Sequence, residues 1–77
     1  MKVVKVLGTG CPKCNQLLAQ TEAAVAQLGI ECEIEKVTDL LEITSYGVMM
    51  TPALLIDGEI KSYGLVPSLD ELKTMLK

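Results

Sequence analysis

The sequence predicts an α/β fold of order β-α-β-α-β-β-α, a four-stranded mixed sheet flanked by three helices. Three observations carry this expectation. Two apolar segments, Val3 to Leu7 and Ala53 to Ile56, place hydrophobic residues on both parities, as central strands covered on both faces do. Residues from Pro12 to about Leu28, and again after Ser68, repeat their apolar positions at helical spacing. Asp57-Gly58 stands between two strand-like segments as a hairpin turn signal.

Each element has its own local reason. Val3, Val4, Val6 and Leu7 make the first strand, which Gly8-Thr9-Gly10 ends. Cys14, Leu17, Leu18, Thr21, Val25 and Leu28 share one face of the first helix, and Gly29 is its natural stop. Ile30, Cys32 and Ile34 alternate with Glu31, Glu33 and Glu35, which reads as an edge strand with one buried and one solvated face. Thr38 is the expected cap of a short helix through Asp39 to Ile43, closed by Gly47. Ala53 to Ile56 is the second central strand, and Glu59 to Tyr63 pairs back on it before Gly64. Pro67 and Ser68 open the last helix, with Ser68 and Glu71 at capping-box spacing. Leu69, Leu72 and Leu76 form its apolar stripe, with Met75 beside it. The first two strands are joined through a helix and should run parallel with a right-handed crossover. The last two should form an antiparallel hairpin.

Composition narrows the function. A chain of 77 residues makes one small domain, 1–77. Phe, Trp and His are absent, so the core is aliphatic and the commonest general base and metal ligand is missing. The net charge is −3, with seven scattered Lys and no basic stripe, which argues against nucleic-acid binding. The start, Met1-Lys2-Val3-Val4-Lys5, is too short and too charged for an export signal or a membrane span. Three cysteines are too few for a disulfide framework, and two of them are closely spaced. The expected protein is therefore a cytoplasmic monomer with a working cysteine pair, no membrane association and no cofactor.

That pair is Cys11-Pro12-Lys13-Cys14, set where the first strand gives way to the first helix. The junction puts Cys11 beside the helix N-terminus, where unpaired N–H groups and the helix dipole favour an anion. The thiolate is such an anion and is the reactive form of cysteine. Pro12 suits the first helical position, having no N–H to leave unpaired. Lys13 is either a fixed charge that favours the thiolate or a plain solvated side chain. Cys14, one turn on, is close enough to close a small disulfide and faces inward with Leu17 and Leu18. The residues describe a thiol–disulfide exchange centre. A soft-metal-binding or metal-chaperone module using the same two cysteines is the alternative. Structural zinc would want four ligands, and only Cys32 remains, itself expected to pack as a small hydrophobe. A copper-chaperone-like module would end on a strand, whereas this chain ends on a helix.

A second segment, Met49-Met50-Thr51-Pro52-Ala53-Leu54-Leu55-Ile56-Asp57-Gly58, puts a proline immediately before a buried strand. Together with the Cys11–Cys14 turn, it resembles the thioredoxins and glutaredoxins over essentially the whole chain. The resemblance is closest to the very small prokaryotic thioredoxin-like proteins labelled redox-active disulfide proteins. It implies a cis Thr51-Pro52 peptide packed against the cysteine turn. It also implies Cys11 as nucleophile and Cys14 as resolving thiol, with Thr51 and Pro52 guiding an extended substrate. Met49 and Met50 either offer that substrate an apolar platform or plug the gap beneath the short second helix. The implied partners are disulfide-containing proteins, or a small disulfide, and an upstream reductase. Three departures stand out: Gly10 precedes the first cysteine where thioredoxins carry Trp, no acid lies on the core face of the first strand, and Gly64-Leu65-Val66-Pro67 replaces the Gly-Gly turn of glutaredoxins. Without the acid, water or Lys13 is left to take the proton of Cys14, and slower turnover than in ordinary thioredoxins is expected.

Overall fold

The computed structural model describes residues 2–10 and 12–77. Seven elements follow one another: β1 (Lys2–Leu7), α1 (Pro12–Leu28), β2 (Cys32–Val37), α2 (Leu40–Ser45), β3 (Ala53–Ile56), β4 (Glu59–Tyr63) and α3 (Leu69–Leu76). The strands form one sheet of order β2-β1-β3-β4. β1 runs parallel to β2 and antiparallel to β3, and β4 returns antiparallel to β3. This is the thioredoxin-like order that the sequence predicts.

The two apolar runs are the two inner strands, and each feeds both faces of the sheet. On one face, Val4 and Val6 of β1 and Leu54 and Ile56 of β3 pack with Leu17 and Ala24 of α1 and Leu72 and Leu76 of α3. On the other, Leu7, Ala53 and Leu55 pack with Val37, Ile43 and Val48, and Tyr46 leans against them. Strand alternation explains the split, because neighbouring residues point to opposite faces. α1 and α3 together cover one face, whereas the six-residue α2 covers only part of the other.

The turns form as their residues dictate. Asp57 and Gly58 both take positive φ, 52° and 83°, as a tight hairpin between right-twisted strands requires. The same Asp57 ties down the start of β1, donating its N–H to the Val3 carbonyl at 2.8 Å and accepting from the Val3 N–H at 3.0 Å. Ser68 and Glu71 form the reciprocal capping box of α3.

Two local expectations are corrected. The cap of α2 is Asp39, not Thr38: Asp39 has the extended backbone, and its carboxylate accepts from the Leu41 N–H at 2.9 Å. β2 begins at Cys32 rather than Ile30, because its pairing with β1 starts at Lys2 opposite Cys32. Cys32, half-buried on this edge strand, packs against the α1-face core with Ile30 and Ile34, as a small hydrophobe does.

Candidate active site

The sheet register gathers the candidate residues at one end of the molecule. Leu7, the last residue of β1, stands opposite Ala53, the first of β3, and Ala53 stands opposite Tyr63, the last of β4. The residues just beyond these pairs, Gly8, Pro52 and Gly64, therefore meet at the same sheet end. Gly64 donates its N–H to the Pro52 carbonyl at 2.8 Å, which fixes the β4 exit against the proline. α1 departs from this end after the short Gly8-Thr9-Gly10 link and carries Pro12, Lys13 and Cys14 in its first turn.

Cys14 is 2% exposed and disulfide-bonded, whereas Cys32 is a free thiol. Its side chain lies directly on Gly8. A Cβ built on Gly8 would overlap Cys14 Sγ and sit 2.9 Å from Cys14 Cβ. Pro12 and Lys13 are exposed on the outer side of the turn. Cys11 lies outside the described residues.

At the same sheet end, the Thr51–Pro52 peptide is cis, Pro52 is fully buried and Thr51 is exposed. Met50 and Met49 are 54% and 94% exposed, so neither plugs a gap beneath α2. With Gly47, Val48, Ile60 and Tyr63 they line a largely apolar groove of about 420 Å³ beside Thr51. The groove exists because α2 is too short to cover the β4 side of its face. Met50 also lies across Gly64, where an added Cβ would come within 2.9 Å of Met50 Cε.

Charges lie mainly at a distance. On the α2 face, Lys5 Nζ donates to the Tyr46 hydroxyl at 2.8 Å, lies 5.1 Å from the ring centre and pairs with Glu35 at 3.7 Å. The Tyr46 hydrogen bond raises the Lys5 pKa; desolvation opposes the rise and Glu35 assists it. Lys5 and Glu35 are opposite one another in the β1–β2 register, which is why a lysine is tolerated on an inner strand. At the far end of the sheet, burial pushes the Cys32 thiol up, and Asp57 pushes it further, against the smaller opposing effect of Lys2. Cys32 is thus a weakly acidic thiol remote from the cysteine turn.

The sequence alone marks Gly8 as a strand breaker, and Gly64 as a strand breaker and the start of the Gly64-Leu65-Val66-Pro67 turn. Their roles here are spatial, one beneath the cysteine and one beneath Met50. Gly64 had a local signal in its turn, with φ +74°, but Gly8 had none. Among the described residues, no three potential metal ligands of the His, Cys, Asp or Glu type come together. Among the same residues, no helix is long and apolar enough to cross a membrane.

The geometry agrees with what the chain is similar to. The family model described as a thioredoxin domain matches residues 2–77. A thioredoxin of Methanocaldococcus jannaschii is 47% identical over 77 residues, covering all of this chain and 88% of that protein. A thioredoxin of Methanothermobacter thermautotrophicus is 38% identical over 76 residues, 99% of both chains. A probable thioredoxin of the same organism is 31% identical over 65 residues, 80% of this chain and 75% of that one. These relatives lend the soft-metal alternative no support. The chain belongs to the thioredoxin family and is a thiol–disulfide oxidoreductase.

Proposed function

We propose that the protein reduces disulfides of partner proteins through a Cys11–Cys14 dithiol/disulfide couple. The observation that carries this reading is the placement of Cys14: disulfide-bonded, buried, in the first turn of α1, and at the sheet end that also holds Pro52. Among the described residues Cys32 is a free thiol, and Cys11, three positions before Cys14 in the sequence, is the partner proposed for Cys14.

Cys11 immediately precedes the helix that starts at Pro12, so its thiolate gains from the positive helix end. That thiolate attacks one sulfur of a substrate disulfide. A mixed disulfide forms, and the other substrate sulfur leaves as thiolate. Cys14, deprotonated in its turn, attacks the Cys11 sulfur; the Cys11–substrate bond breaks and the Cys11–Cys14 bond forms. Two electrons pass to the substrate, and an upstream reductase returns the protein to the dithiol. Burial of Cys14 keeps it from competing as the first nucleophile. Lys13, exposed beside the turn, contributes a modest favourable charge to Cys11.

The exposed Thr51 backbone and the Met50 groove form the substrate platform. An extended chain lying along Thr51 pairs with its main chain, while an apolar side chain settles between Met50 and Tyr63. This favours protein disulfides, in the cytoplasm, over a charged small molecule.

The test is mixed-disulfide trapping. Cys14→Ser should hold substrate covalently on Cys11, and Cys11→Ser should abolish both trapping and insulin reduction. Reduction of insulin by Cys11→Ser at the wild-type rate would refute the assignment.

A further inference from the structure

We propose that Gly8 is a positioning residue for Cys14, setting the depth of its sulfur and thereby favouring the disulfide over the dithiol. The inference rests on the Cys11–Cys14 couple proposed above. Five of the six glycines, Gly10, Gly29, Gly47, Gly58 and Gly64, have positive φ, so the backbone alone accounts for them. Gly8 does not share that conformation. It is buried at the end of β1, and its N–H donates to the Val37 carbonyl at 2.9 Å, a bond that alanine would keep. What excludes a side chain there is sulfur: the added Cβ would overlap Cys14 Sγ and crowd Cys14 Cβ at 2.9 Å. Glycine at position 8 is therefore explained by the cysteine it carries, not by the strand it ends.

The two redox states feel that floor differently. In the disulfide, Cys14 Sγ is held by its covalent partner and has no other place to go. In the dithiol, the same sulfur is free to rotate about χ1, away from position 8. The Cβ–Cβ crowding is common to both states; the sulfur overlap is concentrated in the oxidised one. A methyl at position 8 should therefore oppose the disulfide more than the dithiol. It should also alter how readily Cys14 reaches the mixed disulfide, because the sulfur starts from a displaced position.

The experiment is equilibration of wild type, Gly8→Ala and Thr9→Ala with graded glutathione buffers, followed by alkylation and intact-mass counting. Thr9 is exposed next door and serves as the control. Gly8→Ala should shift the dithiol/disulfide equilibrium toward the dithiol by tenfold or more, which corresponds to about 30 mV for this two-electron couple. Thr9→Ala should stay within about twofold of wild type. Urea unfolding of both redox forms is measured alongside. A Gly8→Ala equilibrium within twofold of wild type, or equal destabilisation of oxidised and reduced forms, overturns the proposal. If Gly8→Ala does not accumulate folded, Gly8→Ala/Cys14→Gly should, since the overlapping sulfur and the crowding Cβ are both gone; failure of the double variant to fold, with Cys14→Gly alone folded, also overturns it. Absence of any Cys11–Cys14 disulfide in the wild-type series would instead sink the underlying functional reading, and is separately visible.

Discussion

Leu17 lies one turn after Cys14 on α1, is 0% exposed, and touches the sheet cluster formed by Val4, Val6, Leu54 and Ile56. It couples the helix that carries the cysteine turn to the strands beneath it. Leu17→Ala removes three buried carbons, which at ~0.8 kcal/mol each is ~2.4 kcal/mol of transfer free energy. The cavity left behind adds to this, because α1, α3 and the sheet hold the site from three sides; the sum is ~3–4 kcal/mol. A chain of 77 residues has ~4–12 kcal/mol in all, so the loss is a large share. The melting temperature should fall by ~12–30 °C. Leu41, 80% exposed on α2, is the matched control, and Leu41→Ala should change stability by less than ~0.5 kcal/mol. Urea unfolding with an unchanged m-value measures both. A loss below ~1 kcal/mol for Leu17→Ala, or one no larger than for Leu41→Ala, would refute the seating of α1 described above.

Other outcomes follow from the same structure. Asp39→Ala should lose ~1 kcal/mol of unfolding free energy and Thr38→Ala almost none; the opposite ranking would return the cap of α2 to Thr38. Ser62 Oγ is buried and has no hydrogen-bond partner among the described residues, so Ser62→Ala should leave stability unchanged or raise it by ~1 kcal/mol in denaturant melts. Cys32 and Lys5 both have raised pKa values when folded, the thiol above 9.0 and the ammonium above 10.5. A raised value stabilises the fold below the ordinary pKa and is lost as pH rises through the folded one, so stability should decline above about pH 9. Cys32→Ala should weaken the thiol part of that decline, Tyr46→Phe the ammonium part, and flat alkaline profiles would contradict both assignments. Cys32→Ala should also leave insulin reduction unchanged.

How much was legible in the sequence depended on how local each cause is. The apolar run of β3, the Asp57-Gly58 turn and the Ser68–Glu71 box each carry their reason within a few residues, and each forms as read. Element order then brings the end of β1 and the start of β3 together, so the gathering of the first turn of α1 and Pro52 at one sheet end was open to inference without coordinates. The choice between Thr38 and Asp39 was harder, because both residue types cap helices and only the backbone decides. The Lys5–Glu35–Tyr46 cluster was hidden because it depends on strand register and on where α2 lands. Gly8 was least legible of all. A glycine required by a sulfur on another element has no sequence pattern of its own, unlike a glycine required by a turn. Met49 and Met50 pose the same difficulty: their exposure follows from the shortness of α2, not from their own composition.

The most direct measurement is to count reactive thiols by intact mass as the protein is taken through a graded dithiothreitol series and alkylated. The fully reduced chain, with three cysteines, should take three labels, and the oxidised chain one, located on Cys32. Three labels at every ratio, or an oxidised form in which Cys32 is the blocked residue, would contradict the account.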